Sequence, residues 1–210
     1  MNSAENSAAR PTSRGAAAGN RLQAGSGSSP HQLGFDSMDA KRRLFSVMDV
    51  AEMGMMLALI EAGKRALDFL PNIEVVTLLF IVFTLSYGLK TIAVAVGFTF
   101  LETAVYGFSN WVIMYLYIWP ALIVLVHLTR RHAGLWFYSI LSALYGLFFG
   151  LLCSIPYLAV GGPTLAFTWW VAGIPYDIVH CIGNFVVCLV LYRPLTAAMQ
   201  RVQRLFDERK

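Results

Sequence analysis

From Leu44 onward the chain is a succession of contiguous apolar runs separated by short breaks, at about 46–70, 74–89, 91–109, 111–128, 134–155 and 170–191. A helix that crosses a bilayer needs about 20 predominantly apolar residues, so the stretch from Leu44 to Tyr192 has room for five or six spans and little else. The pattern predicts an all-α integral membrane protein, a bundle of six transmembrane helices. The first run is the weakest, because Glu52, Glu61, Lys64, Arg65 and Asp68 interrupt it. Between Ala133 and Tyr176 there is no charged residue, and Pro156, Gly161, Gly162 and Pro163 mark the turn between the two spans on either side.

Composition agrees with the pattern. Of 210 residues, 57% are hydrophobic and only 13% charged, about half the charged share of an ordinary soluble domain. The mean hydropathy is +0.60. Length excludes an added soluble catalytic or DNA-binding domain. A net charge of +4 invites a nucleic-acid reading, but the Lys and Arg sit in short loops rather than on one solvated face, which argues against nucleic acid as a partner. Cys153, Cys181 and Cys188 form no CxxC pair and have no His at metal-ligand spacing, so no metal site is expected.

Residues 1–40 are half Ala, Ser and Gly, too poor in bulky apolar groups to offset the entropy of ordering. They also lack the apolar core of a cleavable signal peptide. The expected organisation is a disordered cytoplasmic tail with a basic anchor over 1–43, a six-helix membrane domain over 44–195 and a basic cytoplasmic C-terminal tail over 196–210. Alternate loops set the orientation. One side collects Lys41, Arg42, Arg43, Lys90, Arg130, Arg131, Arg193, Arg201, Arg204, Arg209 and Lys210, whereas the other holds only Lys64 and Arg65. Cytoplasmic loops retain Lys and Arg, so both termini are expected in the cytoplasm.

An ionisable side chain within a bilayer costs a few kcal/mol and is a functional candidate for that reason. With this orientation Glu102, Tyr106, Trp111, Tyr115, Asp177 and His180 fall in the outer half of their spans, and Trp119 and Asn184 near the midplane. All eight are candidate substrate-binding residues around a cavity open to the outside. Asp177, His180 and Asn184 share one helical stripe at i, i+3 and i+7, which offers a ligand both donors and acceptors, or alternatively satisfies a neighbouring helix. Tyr115 and Trp119 are one turn apart and suit stacking on a flat ring. Glu61, Lys64, Arg65 and Asp68 can pair among themselves along one face, a self-neutralising patch or a substrate contact. Gly54, Ala58 and Ala62 form a small-residue stripe that lets another helix approach closely, and Gly146 with Gly150 repeats the device. Spacing alone does not say whether the partner helix belongs to this chain. No phosphate-binding loop, nucleophile elbow or zinc-binding HExxH is present, so active transport would require ATP hydrolysis by another subunit.

Three stretches, Ala58-Leu-Ile-Glu-Ala62, Ala104-Val-Tyr-Gly-Phe108 with Trp111 and Tyr115-Leu-Tyr-Ile-Trp-Pro120, and Gly173-Ile-Pro-Tyr-Asp177 with His180, Asn184 and Tyr192-Arg-Pro-Leu195, carry a resemblance. Over about residues 48–205 the chain resembles the substrate-specific (S) component of energy-coupling factor (ECF) transporters, the vitamin importers of bacterial and archaeal plasma membranes. The resemblance implies capture of a vitamin or vitamin precursor near the outer face. It also implies docking through Ala58 and Ala62 onto a transmembrane T component that carries two cytoplasmic ATPases, followed by toppling to release substrate inside. On this reading the chain has no catalytic residues and no cofactor. Cobalamin, a thiamine precursor and a queuosine precursor all remain open as substrates. The competing classes are a membrane enzyme using Glu102, Asp177 and His180 as acid and base, a ligand-free scaffold, and a solitary transporter.

Overall fold

A computed structural model describes residues 47–132 and 134–207; the expected tail over 1–43 lies outside the described residues. Among these, 92% are helical and none is in a strand. The helices are α1, Val47–Leu67; α2, Val76–Tyr87; α3, Thr91–Tyr106; α4, Asn110–Thr129; α5, Leu135–Leu147; and α6, Phe149–Asp207. Single 3₁₀ turns at Gly88–Lys90 and Arg130–His132 follow α2 and α4.

Three helical stretches are long and apolar enough to cross a membrane, Val76–Tyr106, Asn110–Thr129 and Leu135–Leu205. Two of them fold back on themselves. Phe80 and Phe98 would be about 27 Å apart along one continuous helix, yet their ring centroids are 6.1 Å apart. The reversal is at Gly88, whose φ of 63° is open to glycine at no steric cost. Likewise Gly150 N–H donates to Asp177 Oδ1 at 2.9 Å, although 27 residues separate them. The chain turns there at Gly161 and Gly162, whose backbone is non-helical, with φ +73° at Gly162. Pro163 then opens the second limb of α6, where a missing N–H costs nothing. The turn is tighter than the sequence suggests: Pro156 lies within the first limb, and only the glycine pair leaves the helix. That second limb is also longer than expected. It continues through 196–207 as helix and, at 1.5 Å per residue, runs about 65 Å, well beyond a hydrocarbon core of about 30 Å.

Contacts fix the relative directions. Asp49 pairs with Lys90 and Lys64 with Glu102, so α1 and α3 run parallel. Glu74 meets His180 and Ser86 meets Gln203, so α2 and the second limb of α6 also run parallel. Tyr138 stacks on Tyr192 and Ser142 meets Asn184, so α5 runs against that limb. At the centre is α2, buried at every position from Val76 to Thr84, as befits a helix that is apolar all round. Outside, Phe100, Leu128, Ile182 and Val190 are each more than 60% exposed, while Thr77, Glu102, Ser139 and Asn184 are buried. An apolar exterior around a partly polar interior identifies lipid as the surrounding solvent.

Candidate functional site

One end of the bundle gathers the charged side chains of the last turn of α1, the loop after it and the end of α3. Lys64 forms an ion pair with Glu102, whose side chain is 3% exposed. Arg65 donates from Nε to Glu61 at 2.7 Å and from Nη1 to the Tyr106 hydroxyl at 2.6 Å, and lies 3.6 Å from Asp68. Both cations also lie over the Tyr106 ring, at 4.6 and 5.1 Å. In the loop, Asn72 adopts φ 58°, a left-handed conformation that Asn tolerates better than most residues. Two residues on, Glu74 accepts hydrogen bonds from the Thr77 backbone N–H at 3.0 and 3.2 Å. This carboxylate therefore serves a donor left free in the first turn of α2. His180 Nε2 is 3.3 Å from the same carboxylate.

Beneath these groups lies a cavity of about 190 Å³ lined by Lys64, Asn72, Glu74, Val76, Phe98, Tyr115, Trp119, Phe149 and His180. Its walls are a continuous aromatic set. Phe98 stacks on Tyr115 at 6.0 Å, Tyr115 meets Trp119 edge-on at 5.5 Å, Trp119 lies 5.8 Å from Phe149, and Phe149 lies 5.0 Å from His180. Trp119 is 3% exposed, and its indole N–H has no hydrogen-bond partner. That nitrogen is itself closed off, so Trp119 serves the cavity as an aromatic wall.

Of the eight candidate residues, Tyr115, Trp119 and His180 line the cavity. Glu102 stands one step behind, holding Lys64. Tyr106, half exposed, sits under the two cations at the rim, and Trp111 packs edge-on against the outer side of Tyr115 at 5.3 Å. Asp177 and Asn184 do not line it. Asp177 faces Gly150, and Asn184 donates to Thr77 Oγ1 and the Ser142 carbonyl, both at 3.4 Å. The stripe on α6 thus divides, with His180 turned to the cavity and its two neighbours joining helices. The small residues explain the division. A Cβ at Gly146 would lie 2.9 Å from the His180 carbonyl, and one at Gly150 2.4 Å from Asp177 Oδ2. Here the small-residue device serves an internal contact.

The other stripe does not. Ala58 and Ala62 are exposed, and a Cβ on Gly54 would meet nothing within 4 Å. Beside Ala62 an apolar groove of about 460 Å³ runs between α1 and the second limb of α6, floored by Leu79, Val82 and Phe83 of α2.

Sequence reasoning missed Glu74, Asn72, Phe98 and Phe149, and left Lys64 open between a self-neutralising patch and a substrate contact. Glu74 had a signal: it is the acid directly ahead of an uninterrupted apolar run, where a carboxylate caps a helix. The two phenylalanines had none. Among the described residues no group of three or more His, Cys, Asp or Glu is arranged to hold a metal ion. No protein-family model, curated protein or solved structure matches the chain.

Proposed function

We propose that this protein is the solute-capturing membrane subunit of an ECF-type importer. On this reading the chain crosses the membrane six times with both termini in the cytoplasm. It takes up a vitamin or vitamin precursor at the outer face and delivers it with a T component and two ATPases. The observation that carries the reading is the aromatic-walled cavity lined by Glu74 and His180, at the bundle end opposite most of the basic residues. Lys90, Arg130, Arg131, Arg193, Arg201 and Arg204 belong to the opposite end, which the charge bias of membrane proteins turns toward the cytoplasm.

The exposed stripe of Gly54, Ala58 and Ala62 supports a membrane partner, since small residues on a lipid-facing helix permit close approach by another helix. Against the enzyme reading, Glu102, Asp177 and His180 are each engaged with a different neighbour, Lys64, Gly150 and Glu74, rather than with one another. The test is mass spectrometry of small molecules retained by the purified chain, followed by uptake of the identified compound into cells with and without the chain. A retained compound whose uptake depends on the chain and on ATP is the expected result. Turnover of the compound by the isolated chain would overturn the reading.

A further inference from the structure

Resting on the reading of the cavity as a solute site, we propose that its occupant is a small, flat, basic nitrogen heteroaromatic, cationic or bearing an amino group, and not an acid.

Charge balance is the first ground. Glu61, Asp68, Glu74, Glu102 and Asp177 stand at this end against Lys64 and Arg65. Both cations are already paired with carboxylates. Lys64 is held by the buried Glu102, and Arg65 is shared among Glu61, Asp68 and Tyr106. Glu74, by contrast, lines the cavity with no cation paired to it among the described residues except through His180, and otherwise accepts only from the neutral Thr77 backbone N–H and hydroxyl. An anion entering here would meet the Glu74 carboxylate beside a Lys64 whose charge Glu102 already balances, and like charges at close range cost several kcal/mol. A donor-bearing or cationic group would meet that carboxylate in a charge-assisted hydrogen bond.

The walls point the same way. Aromatic faces carry negative potential and attract cations, and Phe98, Tyr115, Trp119 and Phe149 enclose the space. Lys64 and Asn72 also line the space, and their N–H groups can donate to an acceptor on the same ligand, which a ring nitrogen supplies. A donor at one edge and an acceptor at another, on a flat stacking surface, describe an aminated nitrogen heterocycle. Size agrees: 190 Å³ is comparable to an apolar cavity of about 150 Å³ that takes up benzene, so the space suits one ring or a compact fused pair.

The sign of the charge is tested with three near-isosteric probes on the purified full chain, benzamidine (cation), benzamide (neutral) and benzoate (anion), by titration calorimetry. We expect benzamidine to bind at least tenfold more tightly than benzoate, with benzamide between them. Glu74→Gln, which keeps an acceptor for Thr77, should weaken benzamidine tenfold or more and benzamide less than threefold. Benzoate binding as tightly as benzamidine, absence of benzamidine binding at millimolar concentration, or an unchanged benzamidine affinity in Glu74→Gln would each overturn the proposal. The two readings fail separately. A retained natural compound that is an acid removes this inference and leaves import standing. The charge preference without chain-dependent uptake removes import and leaves the inference.

Discussion

The two ends of the bundle hold the same kind of bond in different surroundings. Both tie α1 to α3 or the turn that opens it through a lysine and a carboxylate: Lys90 with Asp49 at the basic end, at 2.6 Å and with side chains 51% and 19% exposed, and Lys64 with Glu102 at the cavity end, with side chains 20% and 3% exposed. The first is a surface pair, screened and worth about 0–1 kcal/mol. The second has taken a carboxylate out of solvent, and a buried pair often contributes no more to stability than apolar residues of the same volume. Packing alone therefore gives no reason for Glu102 to be charged. On the proposed reading, a cavity that needs Lys64 held in place beside Glu74 supplies one.

The comparison is broken most directly at its buried member. Lys64→Met leaves Glu102 an uncompensated charge and should destabilise the protein by about 3 kcal/mol, read as a lowered melting temperature in detergent. Adding Glu102→Leu should restore most of it. A single variant as stable as the parent would mean that Glu102 is solvated or protonated.

Next in size is the helix contact behind the cavity. Gly146→Leu drives side-chain atoms into the His180 backbone and should cost about 1–3 kcal/mol, whereas Gly54→Leu on the exposed stripe should leave the melting temperature unchanged. Equal losses at both positions would show that the outer stripe packs within this chain. Asn184→Leu, which removes bonds to Thr77 and Ser142, should lower stability by about 1 kcal/mol with ligand affinity unchanged. A selective loss of affinity would return Asn184 to the site.

Trp119→Phe sharpens the cavity side of the comparison. It keeps an aromatic face but shortens the wall, and should reduce affinity for the retained compound about tenfold, the equivalent of about 1.4 kcal/mol, with the melting temperature lowered only by the lost packing of a buried ring. The smallest effect is expected at the other end. Lys90→Met should change stability by less than about 1 kcal/mol, and a loss matching that of Lys64→Met would abolish the distinction between the ends.

Much of the architecture is legible in the residues taken one by one. Contiguous apolar runs, glycines at the reversals and basic residues confined to alternate loops are local features, and a helix in lipid is obliged to satisfy its backbone within its own segment. Helical content and the fold-back at Gly161 and Gly162 follow from these. Boundaries were less legible, because proline is tolerated within membrane helices: Pro156 and Pro194 sit inside α6 where a soluble chain would be expected to turn.

The site was legible only by class. By itself the sequence determined that this is an all-helical membrane chain and that polar and aromatic residues, Tyr115, Trp119 and His180 among eight candidates, converge on one end. Only the tertiary structure decided that Asp177 and Asn184 turn to helix contacts while Glu74, from a loop, enters the cavity with Phe98 and Phe149. The physical reason is range. Helix periodicity assigns a residue to a stripe about 100° wide, but which part of that stripe meets a neighbour and which a void depends on how near the neighbour comes, and at Gly146 and Gly150 that approach is set by another helix about thirty residues away.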